Sequence, residues 1–592
     1  MDPDDDSGPG TADARARAWR AGRWTAAHRE FRAARDLLLR CRTDLDAAVE
    51  QFRWPRPACF NWALEWFDVV ARGNPAPALE LLDGEGDVTR SVSYDELSRR
   101  SDAVANWLRG QGVAPGDRLM VVLGPQVELW EVLLAALKVR AVVVPSHPDL
   151  MPGQAEDRVR RGRLAHLVCR AASAGAFSGV RVPGARIAVP EADGVVPPGW
   201  TDYRESTAAP DRFVPERPTP ADDIAFCYFT SGTTSAPKLV AHTHLSYPAG
   251  HLSSLYWNGL LPGDRHVNVS SPGWAKHSWS SLFVPWNAEA TILVLPDGPP
   301  DAAALPRQLR RSRATGFCAP PSVWQTLRPH LTSAVPPALR EATSAGEPLP
   351  WEVVTAVRDA WGVTVRDGYG QTETTALVGT PPGHLPRPGR LGRPLPGYRI
   401  TLRDPETAEP ADVEGEICVE LDGEEGRPVG VMAGYPDDLT RTEHALGRGW
   451  YATGDLGERD PEGWIRVLGR RDDVFKSYGH RVSPFEAETV LRAHPAVADV
   501  AVVPVPDDRA GLLPLAVVVP APGRTADAAL ASELLTHTAG ALSPVGRPEL
   551  LRFAERLPRT TSGKIRRRLV RAHLPDIAGD LFTHIRPKEP AP

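Results

Sequence analysis

The amino-acid sequence predicts an α/β fold, in which a mostly parallel sheet is flanked by helices. Residues 118–123 and 141–144 are short apolar runs typical of buried strands, and residues 127–138 between them have the length and pattern of a helix. This strand–helix–strand order is typical of parallel sheets covered by helices. The length of 592 residues predicts three or four units, or one large and one small unit. The pattern of elements changes near Asp472, where we predict a domain boundary.

Composition and charge argue against several classes of protein. The hydrophobic fraction of 42% suits a soluble globular enzyme, and the net charge of −6 does not support nucleic acid as the main partner. No apolar run approaches membrane-spanning length, and the acidic start of the chain lacks the apolar core of a signal or transit peptide. The six cysteines are scattered without a CxxC or His/Cys cluster, so we expect neither disulfides nor zinc, and a cytoplasmic location.

The N-terminal residues 1–42 are rich in alanine and arginine and predict a polar tail followed by an amphipathic helix. A membrane-surface or partner-binding role is one interpretation of this extension, and packing against the main domain is the favoured one. Farther along, Ser93-Tyr94-Asp95-Glu96 forms a capping box that predicts the start of a helix.

The most informative stretch begins with an apolar run at 224–229, which is short enough for a buried strand. It continues directly into Thr230-Ser231-Gly232-Thr233-Thr234-Ser235-Ala236-Pro237-Lys238. Glycine allows close approach of a ligand, hydroxyls and successive backbone N–H groups can surround phosphate oxygens, and lysine adds positive charge. A surface Ser/Thr turn is the alternative interpretation. The string does not match GxxxxGK[ST], which argues against a P-loop kinase or NTPase.

Lysine is rare in this chain, which makes its positions informative. The 68 basic residues include lysine only at positions 138, 238, 276, 476, 564 and 588. Lys238, Lys276, Lys476 and Lys564 fall within motif-like strings, although a general bias toward arginine explains most basic positions. Because arginine does not replace a compact ammonium at a crowded phosphate, these lysines are candidates for contacts with phosphate.

Two later strings complete the pattern of a nucleotide site. Asp367-Gly368-Tyr369-Gly370-Gln371-Thr372-Glu373 follows a predicted strand at 363–366. Its glycines would let the Tyr369 ring lie against a flat base, while Thr372 and Glu373 could reach a phosphate and its Mg²⁺. Asp455 lies in a Gly-rich string at 451–457, and its carboxylate suits the two hydroxyls of a ribose. Structural turns are the alternative for both strings.

Together these strings resemble the motifs of the AMP-forming acyl-CoA synthetases, which belong to the adenylate-forming enzymes. The resemblance covers about residues 43–580 and five motifs in the family's order, including Ala345–Leu349 and Leu557–Arg568. The chain departs from the family at Ser235, where glycine is usual, and at Val545-Gly546, where Tyr-Lys is common. The resemblance implies a large N-terminal domain of sheets and helices at 43–471, a small mobile C-terminal α+β domain at 472–585, and a tail at 586–592.

The same resemblance implies a role for each motif residue. Lys564 would be the catalytic cation between the substrate carboxylate and the α-phosphate, and Glu373 would hold Mg²⁺. Asp472 would be the hinge of the small domain, and Gly479 and Arg481 would lie on the CoA side. Contacts with ATP or AMP are implied for Thr230, Ser231, Gly232, Thr233, Thr234, Lys238, Gly346, Glu347, Pro348, Asp367, Gly368, Tyr369, Gly370, Gln371, Thr372, Asp455 and Arg470.

The reaction implied by the resemblance uses ATP, Mg²⁺ and CoA to activate a small carboxylic acid. Fatty acid metabolism is the process in which such a reaction is expected. Three other interpretations remain. A carrier-protein phosphopantetheine could replace CoA as the acceptor, because its thiol is identical. A luciferase-like oxidation of the adenylate would require O₂. A nucleotide-binding or scaffold protein without activity is disfavoured by the intact Lys564, Glu373 and Asp455.

The acyl group is expected to contact a segment rich in aromatic residues. Trp274, His277, Trp279 and Phe283 form the predicted pocket wall, although core packing is the default for such a segment in isolation. Gly273-Trp274 and the following residues resemble the medium-chain and benzoate-type enzymes. Since each buried methylene contributes roughly 0.8 kcal/mol, an acid of about C4–C10 or a small aryl acid is expected rather than acetate, and the aromatic wall would exclude long chains.

Overall fold

A computed structural model describes residues 25–230, 238–331, 336–478, 480–507, 509–542, 544, 546–559, 565–574 and 580–583. Over these residues the chain forms a large N-terminal body built on three sheets, called A, B and C below, and a smaller C-terminal body built on its own sheet. Helices cover the sheets, so the predicted α/β class with a large and a small part is confirmed. No helix within these ranges combines the length and the apolar character needed to cross a membrane.

Sheet A contains the strand–helix–strand unit that the sequence predicts. Arg118–Val122 and Val142–Pro145 pair in parallel, and the helix Val127–Lys138 connects them. Ile224–Thr230 pairs in antiparallel fashion with Lys238–Thr243, so Thr230 lies opposite Lys238. In spatial order, sheet A consists of Thr201–Asp202, Arg186–Val189, His166–Arg170, Arg118–Val122, Val142–Pro145, Ile224–Thr230 and Lys238–Thr243.

Sheet B corrects one boundary of the sequence analysis. The strand predicted at 363–366 is Val365–Gly370, because it pairs with Glu341–Ala345 on one side and with Ala376–Gly379 on the other. The four residues 367–370 therefore belong to a strand and not to the loop after it. In spatial order, sheet B consists of Arg393–Pro394, Ala376–Gly379, Val365–Gly370, Glu341–Ala345, Gly316–Ala319, Arg265–Asn268, Thr291–Val294, Pro77–Leu82 and Val88–Ser93.

The remaining sheets are mostly antiparallel. In the C-terminal body, Val497–Asp507 and Gly511–Pro520 form one continuous hairpin. That sheet consists of Val497–Asp507, Gly511–Pro520, Leu550–Phe553 and Phe582–Thr583, and a separate ladder pairs Phe475–Ser477 with His480–Val482. Sheet C consists of Pro410–Ala411, Ile400–Arg403, Glu414–Glu420, Trp450–Arg459 and Ile465–Arg470.

The N-terminal helix packs into the large body. Its first turn is capped by Thr25, whose hydroxyl accepts a hydrogen bond from the His28 backbone N–H at 3.0 Å. Phe31 is fully buried, and its ring centroid lies 5.3 Å from that of Phe60 and 5.0 Å from that of Trp66. This face of the predicted amphipathic helix is therefore part of the main hydrophobic core.

Helix starts follow the caps that the sequence contains. Ser93 and Ser483 each accept a hydrogen bond from the backbone N–H three residues later, as expected for an N-cap. The α-helices are Ala26–Arg40, Leu45–Gln51, Asp68–Ala71, Tyr94–Gly110, Val127–Lys138, Pro152–Gly162, Ser246–Asn258, Ala275–Ser278, Val284–Asn287, Leu305–Arg311, Pro321–Leu327, Trp351–Trp361, Leu439–Leu446, Pro484–Arg492, Ala528–Ala541 and Arg567–Ala572. The 3₁₀ and π segments are Ala63–Phe67, Ala171–Phe177, Tyr203–Ala208, Trp279–Phe283 and Arg328–His330.

Candidate active site

A cleft of about 2390 Å³ lies between the large and small bodies. It opens at the carboxyl ends of the parallel strands Glu341–Ala345 and Val365–Gly370 and at the end of Ile224–Thr230. Arg566 and Arg567 of the C-terminal body border it on the other side. Ligands of open α/β sheets bind outside the carboxyl ends of the strands, which makes this cleft the candidate active site.

The cleft brings together most of the predicted site residues that the structure describes. Its lining includes Thr230, Lys238, Trp274, Trp279, Gly346, Glu347, Pro348, Asp367, Gly368, Tyr369, Gly370, Gln371, Thr372, Glu373, Asp455, Arg470 and Asp472. Ser231, Gly232, Thr233, Thr234, Gly479 and Lys564 lie outside the described residues, and so does the side chain of Arg481. Arg559 and Ile565 line the cleft and pair in an antiparallel bridge.

The most ordered polar group in the cleft forms around the Asp455 carboxylate. Oδ2 of Asp455 accepts hydrogen bonds from the Tyr369 hydroxyl at 2.6 Å and from Nε2 of Gln371 at 2.7 Å. A guanidinium nitrogen of Arg470 lies 3.4 Å from the same oxygen. Gln371 is held in turn by the Tyr451 hydroxyl, which donates to its Oε1 at 2.8 Å. Three donors thus converge on Oδ2.

Electrostatics keep the Tyr369 hydroxyl in its donating form. Burial raises the pKa of Tyr369 well above its ordinary value, and the negative charge of Asp455 raises it further. The group therefore presents an aromatic ring, fixed through its hydroxyl, next to a carboxylate. A flat base and a ribose diol are the ligand parts that such a ring and carboxylate complement.

Close packing explains why glycine flanks Tyr369. A Cβ on Gly370 would lie 2.1 Å from the Thr375 carbonyl oxygen and 2.9 Å from the Trp279 ring, so no larger residue fits. Gly346, by contrast, has a φ of +109° with no atom near its missing Cβ, and it is required for the backbone turn at the end of Glu341–Ala345. The presence of glycine at position 370 is thus explained by the close packing of the strand against its neighbours, more than by access of a ligand to the backbone.

A buried acid, Asp367, and a half-buried lysine, Lys276, line the cleft. Burial raises the pKa of Asp367 to about 7, although the N–H groups of Gly368 and Leu349 and the charge of Lys276 lower it. Burial lowers the pKa of Lys276, whose ammonium lies 3.4 Å from the Ala345 carbonyl oxygen. Lys276 lines the cleft, and the sequence analysis named it only as one of several candidate contacts with phosphate.

Glu373 provides the carboxylate that a divalent cation would need. The Tyr435 hydroxyl donates to Glu373 at 3.3 Å, and the Lys238 ammonium lies 5.6 Å from the centroid of the Tyr435 ring. Within the described ranges, no group of three or more His, Cys, Asp or Glu side chains could hold a metal ion on its own. Mg²⁺ at nucleotide sites is held by one or two carboxylates together with substrate phosphates, so a single glutamate beside a lysine fits it.

His242 supports the segment that carries Thr372 and was missed by the sequence analysis. Its Nε2 donates to the Thr372 carbonyl oxygen at 2.7 Å, and its ring stacks on Tyr247 with centroids 4.2 Å apart. Burial lowers the pKa of His242 to about 4, so the ring is neutral at pH 7. No local motif marks this histidine, because its partner is 130 residues away.

The aromatic wall is only partly as predicted. Trp274 and Trp279 line the cleft, but His277 does not. The His277 ring is buried 5.9 Å from Trp130, on another side of the short helix Ala275–Ser278, and burial lowers its pKa to about 3. Phe283 is fully buried and packs edge-on against Trp62 at 4.8 Å. The structure therefore does not bring His277 and Phe283 to the wall of the cleft.

The proposed hinge residue lies in a short turn between the two bodies. Asp472 is exposed, and the backbone N–H groups of Asp473 and Val474 both donate to the Arg470 carbonyl oxygen at 3.0 Å. Asp473 forms an ion pair of 3.0 Å with Arg567 of the C-terminal body. The turn thus lies directly beside the Asp473–Arg567 ion pair, which depends on the position of the small body.

Comparison with known proteins gives matches over nearly the whole chain. Residues 67–435 match the model of the AMP-binding enzyme family, and residues 486–564 match that of the AMP-binding enzyme C-terminal domain. The 4-hydroxybutyrate–CoA ligase 1 of Metallosphaera sedula is 36% identical over 520 residues, which cover 86% of this chain and 89% of the relative. The mitochondrial acyl-coenzyme A synthetase ACSM3 of Mus musculus is 30% identical over 547 residues, which cover 89% and 93%.

Solved structures show the same fold. A crystal structure of the anthranilate CoA ligase AuaEII in complex with anthranoyl-AMP superposes with a TM-score of 0.78 at 25% identity, covering 87% of this chain and 98% of that one. A benzoate CoA ligase from Burkholderia xenovorans LB400 superposes with a TM-score of 0.73 at 26% identity, covering 86% and 100%. In both comparisons, most of this chain lies within the superposed region.

Proposed function

Because this chain belongs to the AMP-binding enzyme family and is an AMP-forming acyl-CoA synthetase, we propose that its cleft joins a medium-sized carboxylic acid to CoA with the use of ATP. The observation that carries the assignment of the site is the convergence of Tyr369, Gln371 and Arg470 on the Asp455 carboxylate. This group suits the adenosine part of ATP, and the strand ends beside it would face the phosphates.

The first half-reaction gives the acid a leaving group that a thiol can displace. A carboxylate cannot be attacked directly by a thiol, because oxide would have to leave. Instead a carboxylate oxygen attacks the α-phosphorus of ATP, the bond to the bridging oxygen breaks, and pyrophosphate leaves. Negative charge builds on the phosphate in this step, so positioned cations stabilise the transition state.

This chain offers a set of groups for that charge. We assign Lys238 and the segment 230–238 to the β- and γ-phosphates, and Lys564 to the substrate carboxylate and the α-phosphate. Glu373 would hold Mg²⁺, which neutralises phosphate charge when it is bound. The neutral His242 keeps the Thr372 carbonyl in place by its hydrogen bond and adds no charge of its own.

In the second half-reaction the thiol sulfur of CoA attacks the acyl carbon, the bond to the AMP oxygen breaks, and the thiol proton passes to solvent. We propose that the small body rotates about Asp472 between the two steps, so that Lys564 is exchanged for Gly479 and Arg481. The exposed turn at Asp472 and the ion pair between Asp473 and Arg567 beside it support a hinge at this point.

The acid is proposed to be of medium length or a small aryl acid. Trp274 and Trp279 line the cleft, Trp279 beside Gly370, and large aromatic side chains in a pocket wall would favour compact apolar groups over long chains. The relatives named above include a 4-hydroxybutyrate–CoA ligase and a benzoate CoA ligase. A carrier-protein phosphopantetheine is the alternative acceptor, and the scattered cysteines favour action in the cytoplasm.

A panel of acids tests the proposal. Pyrophosphate release is measured with straight-chain acids from acetate to palmitate and with benzoate, and thioester formation is measured with and without CoA. We expect the highest kcat/KM at an intermediate length or with benzoate, and thioester only when CoA is present. An optimum at acetate or palmitate would refute the pocket assignment, and pyrophosphate release without a CoA thioester would favour the carrier protein.

A further inference from the structure

Tyr435 lies between the two side chains assigned above to the phosphates and to Mg²⁺. Its hydroxyl donates to a carboxylate oxygen of Glu373 at 3.3 Å, and its ring centroid lies 5.6 Å from the Lys238 ammonium. Lys238 begins the edge strand Lys238–Thr243 of sheet A, whereas Glu373 follows the strand Val365–Gly370 of sheet B. The tyrosine is buried, but it lines the cleft. One side chain thus reaches a cation and a carboxylate that come from different sheets.

The backbone next to this tyrosine is fixed to both sheets as well. The Ala241 N–H, in the edge strand of sheet A, donates to the Gly434 carbonyl oxygen at 2.9 Å, as part of an antiparallel bridge. The Met432 N–H donates to the backbone carbonyl oxygen of Glu373 at 2.8 Å. Residues 432–435, called the clasp segment below, therefore connect the two sheets by backbone hydrogen bonds.

The conformation of the clasp segment is determined by its own residues and by Thr442. Gly434 has a φ of +145°, and a Cβ there would lie 2.5 Å from Cγ2 of Thr442, so glycine is required. The Thr442 hydroxyl accepts a hydrogen bond from the backbone N–H of Tyr435 at 2.9 Å. The direction in which the Tyr435 side chain leaves the backbone is therefore fixed by contacts within the protein.

A tyrosine suits this position because it orients two opposite charges without neutralising them. Burial raises the pKa of Tyr435, and the negative charge of Glu373 raises it further, so the hydroxyl stays protonated and donates at pH 7. The distance of 5.6 Å between the Lys238 ammonium and the ring lies within the range of about 6 Å for a cation–π interaction. A direct ion pair would turn the lysine and the glutamate toward each other, whereas the tyrosine leaves both charges available for phosphate and Mg²⁺.

We propose that Tyr435 is a positioning residue for the first half-reaction, which holds Lys238 and Glu373 at the spacing that one Mg²⁺–ATP requires. The proposal rests on the acyl-CoA synthetase function proposed above and deepens it. Among the described residues, none of the hydrogen bonds of Tyr435 goes to Asp455 or to the side chains that hold Asp455. Tyr435 therefore serves the β- and γ-phosphates and not the adenosine part, so its replacement should affect ATP but not AMP.

Calorimetric binding of ATP and AMP to the full-length protein, in the absence of an acid, tests the proposal. Tyr435→Phe removes the hydroxyl that holds Glu373 but keeps the ring near Lys238. Because Glu373 acts through Mg²⁺, we expect ATP binding to weaken about tenfold with Mg²⁺ and less than about threefold in EDTA, with AMP binding unchanged. Tyr435→Leu also removes the ring, so ATP binding should weaken by roughly a further threefold under both conditions.

Tyr203→Phe is the matched control for the loss of a buried tyrosine hydroxyl. The Tyr203 hydroxyl also donates to a glutamate, Glu131 at 2.6 Å, and neither residue lines the cleft. This variant should bind ATP and AMP as the wild type does. In the pyrophosphate-release assay, Tyr435→Phe should raise KM for Mg²⁺–ATP in step with its weaker binding and leave KM for the acid unchanged.

The outcomes distinguish this proposal from the function on which it rests. Wild-type affinity of Tyr435→Phe for Mg²⁺–ATP would overturn the proposal, and so would an equal loss of ATP and AMP binding, which would indicate a general structural role; the acyl-CoA synthetase function would stand in both cases. If Tyr435→Leu does not fold, the comparison of Tyr435→Phe with and without Mg²⁺ decides. If the wild-type protein neither binds ATP nor releases pyrophosphate with any acid, both the proposal and the proposed function fail.

Discussion

Replacement of Asp455 by asparagine is the sharpest test of the nucleotide site. The Asp455 carboxylate accepts hydrogen bonds from Tyr369 at 2.6 Å and Gln371 at 2.7 Å, and the Arg470 guanidinium lies 3.4 Å away. All three contacts use Oδ2, which leaves Oδ1 for a ribose hydroxyl. Asp455→Asn preserves the shape but removes the charge, so we expect it to weaken the proposed ribose contact and the contacts that position Tyr369 and Gln371.

The magnitude follows from the number of charged hydrogen bonds that are affected. A hydrogen bond to a charged group contributes about 1.5–3 kcal/mol, and about 1.4 kcal/mol corresponds to a factor of ten in affinity. Loss of one such bond to ATP raises KM for ATP about 10- to 100-fold, while KM for the acid changes little. Tyr369→Phe removes one donor to the same oxygen, so its effect and that of Asp455→Asn should not be additive in the double variant.

The assay is the initial rate of pyrophosphate release as a function of ATP concentration, together with calorimetric binding of AMP. Asp437→Asn is the matched control, because Asp437 also pairs with an arginine, Arg118 at 2.8 Å, but does not line the cleft. An unchanged KM for ATP in Asp455→Asn would refute the assignment of the ribose contact. Strict additivity of the two substitutions would refute their coupling through the 2.6 Å bond.

Three further predictions address the half-reactions and pH. Lys564→Ala should reduce acyl-adenylate formation by about 10²–10³-fold, as for loss of one transition-state donor, but spare thioester formation from pre-made acyl-adenylate; equal loss of both would contradict this role. Asp472→Pro fixes φ and should trap one arrangement of the bodies, so that the two half-reactions change unequally; two wild-type rates would move the hinge elsewhere. Burial lowers the pKa of His242 from 6.5 to about 4. The unfolded chain therefore binds the proton first as the pH falls, and the free energy of unfolding should decrease by about 2 kcal/mol between about pH 7 and pH 5 on account of this residue. Urea unfolding of wild type and His242→Gln measures this, and parallel pH dependences would contradict it.

The sequence predicted those parts of the fold and site that depend on local chemistry. The strand–helix–strand unit at 118–145 and the cap at Ser93 are local patterns, and the structure contains them. The strand Val365–Gly370 was placed too early, because Asp and Gly usually mark turns whereas pairing on both sides extends the ladder through them. His242 had no assigned role and Lys276 was named only as a candidate contact with phosphate, since their partners are the distant carbonyl groups of Thr372 and Ala345.

The aromatic wall shows why spacing alone does not determine which side chains face a ligand. Ala275–Ser278 forms a single α-helical turn, and the π segment Trp279–Phe283 follows, with Ser281 at φ −128° and ψ 18°. A regular helix advances about 100° per residue, but a π segment fits more residues into each turn and changes the face of every residue after it. The sequence analysis grouped His277 with Trp274 and Trp279 by their aromatic character, which does not determine the face on which each side chain lies. The His277 ring lies near Trp130, while Trp279 borders the cleft and the Ser278 hydroxyl reaches Tyr228. The junction of the two helical segments thus places the indole of Trp279 at the cleft, and periodicity within the sequence does not encode it.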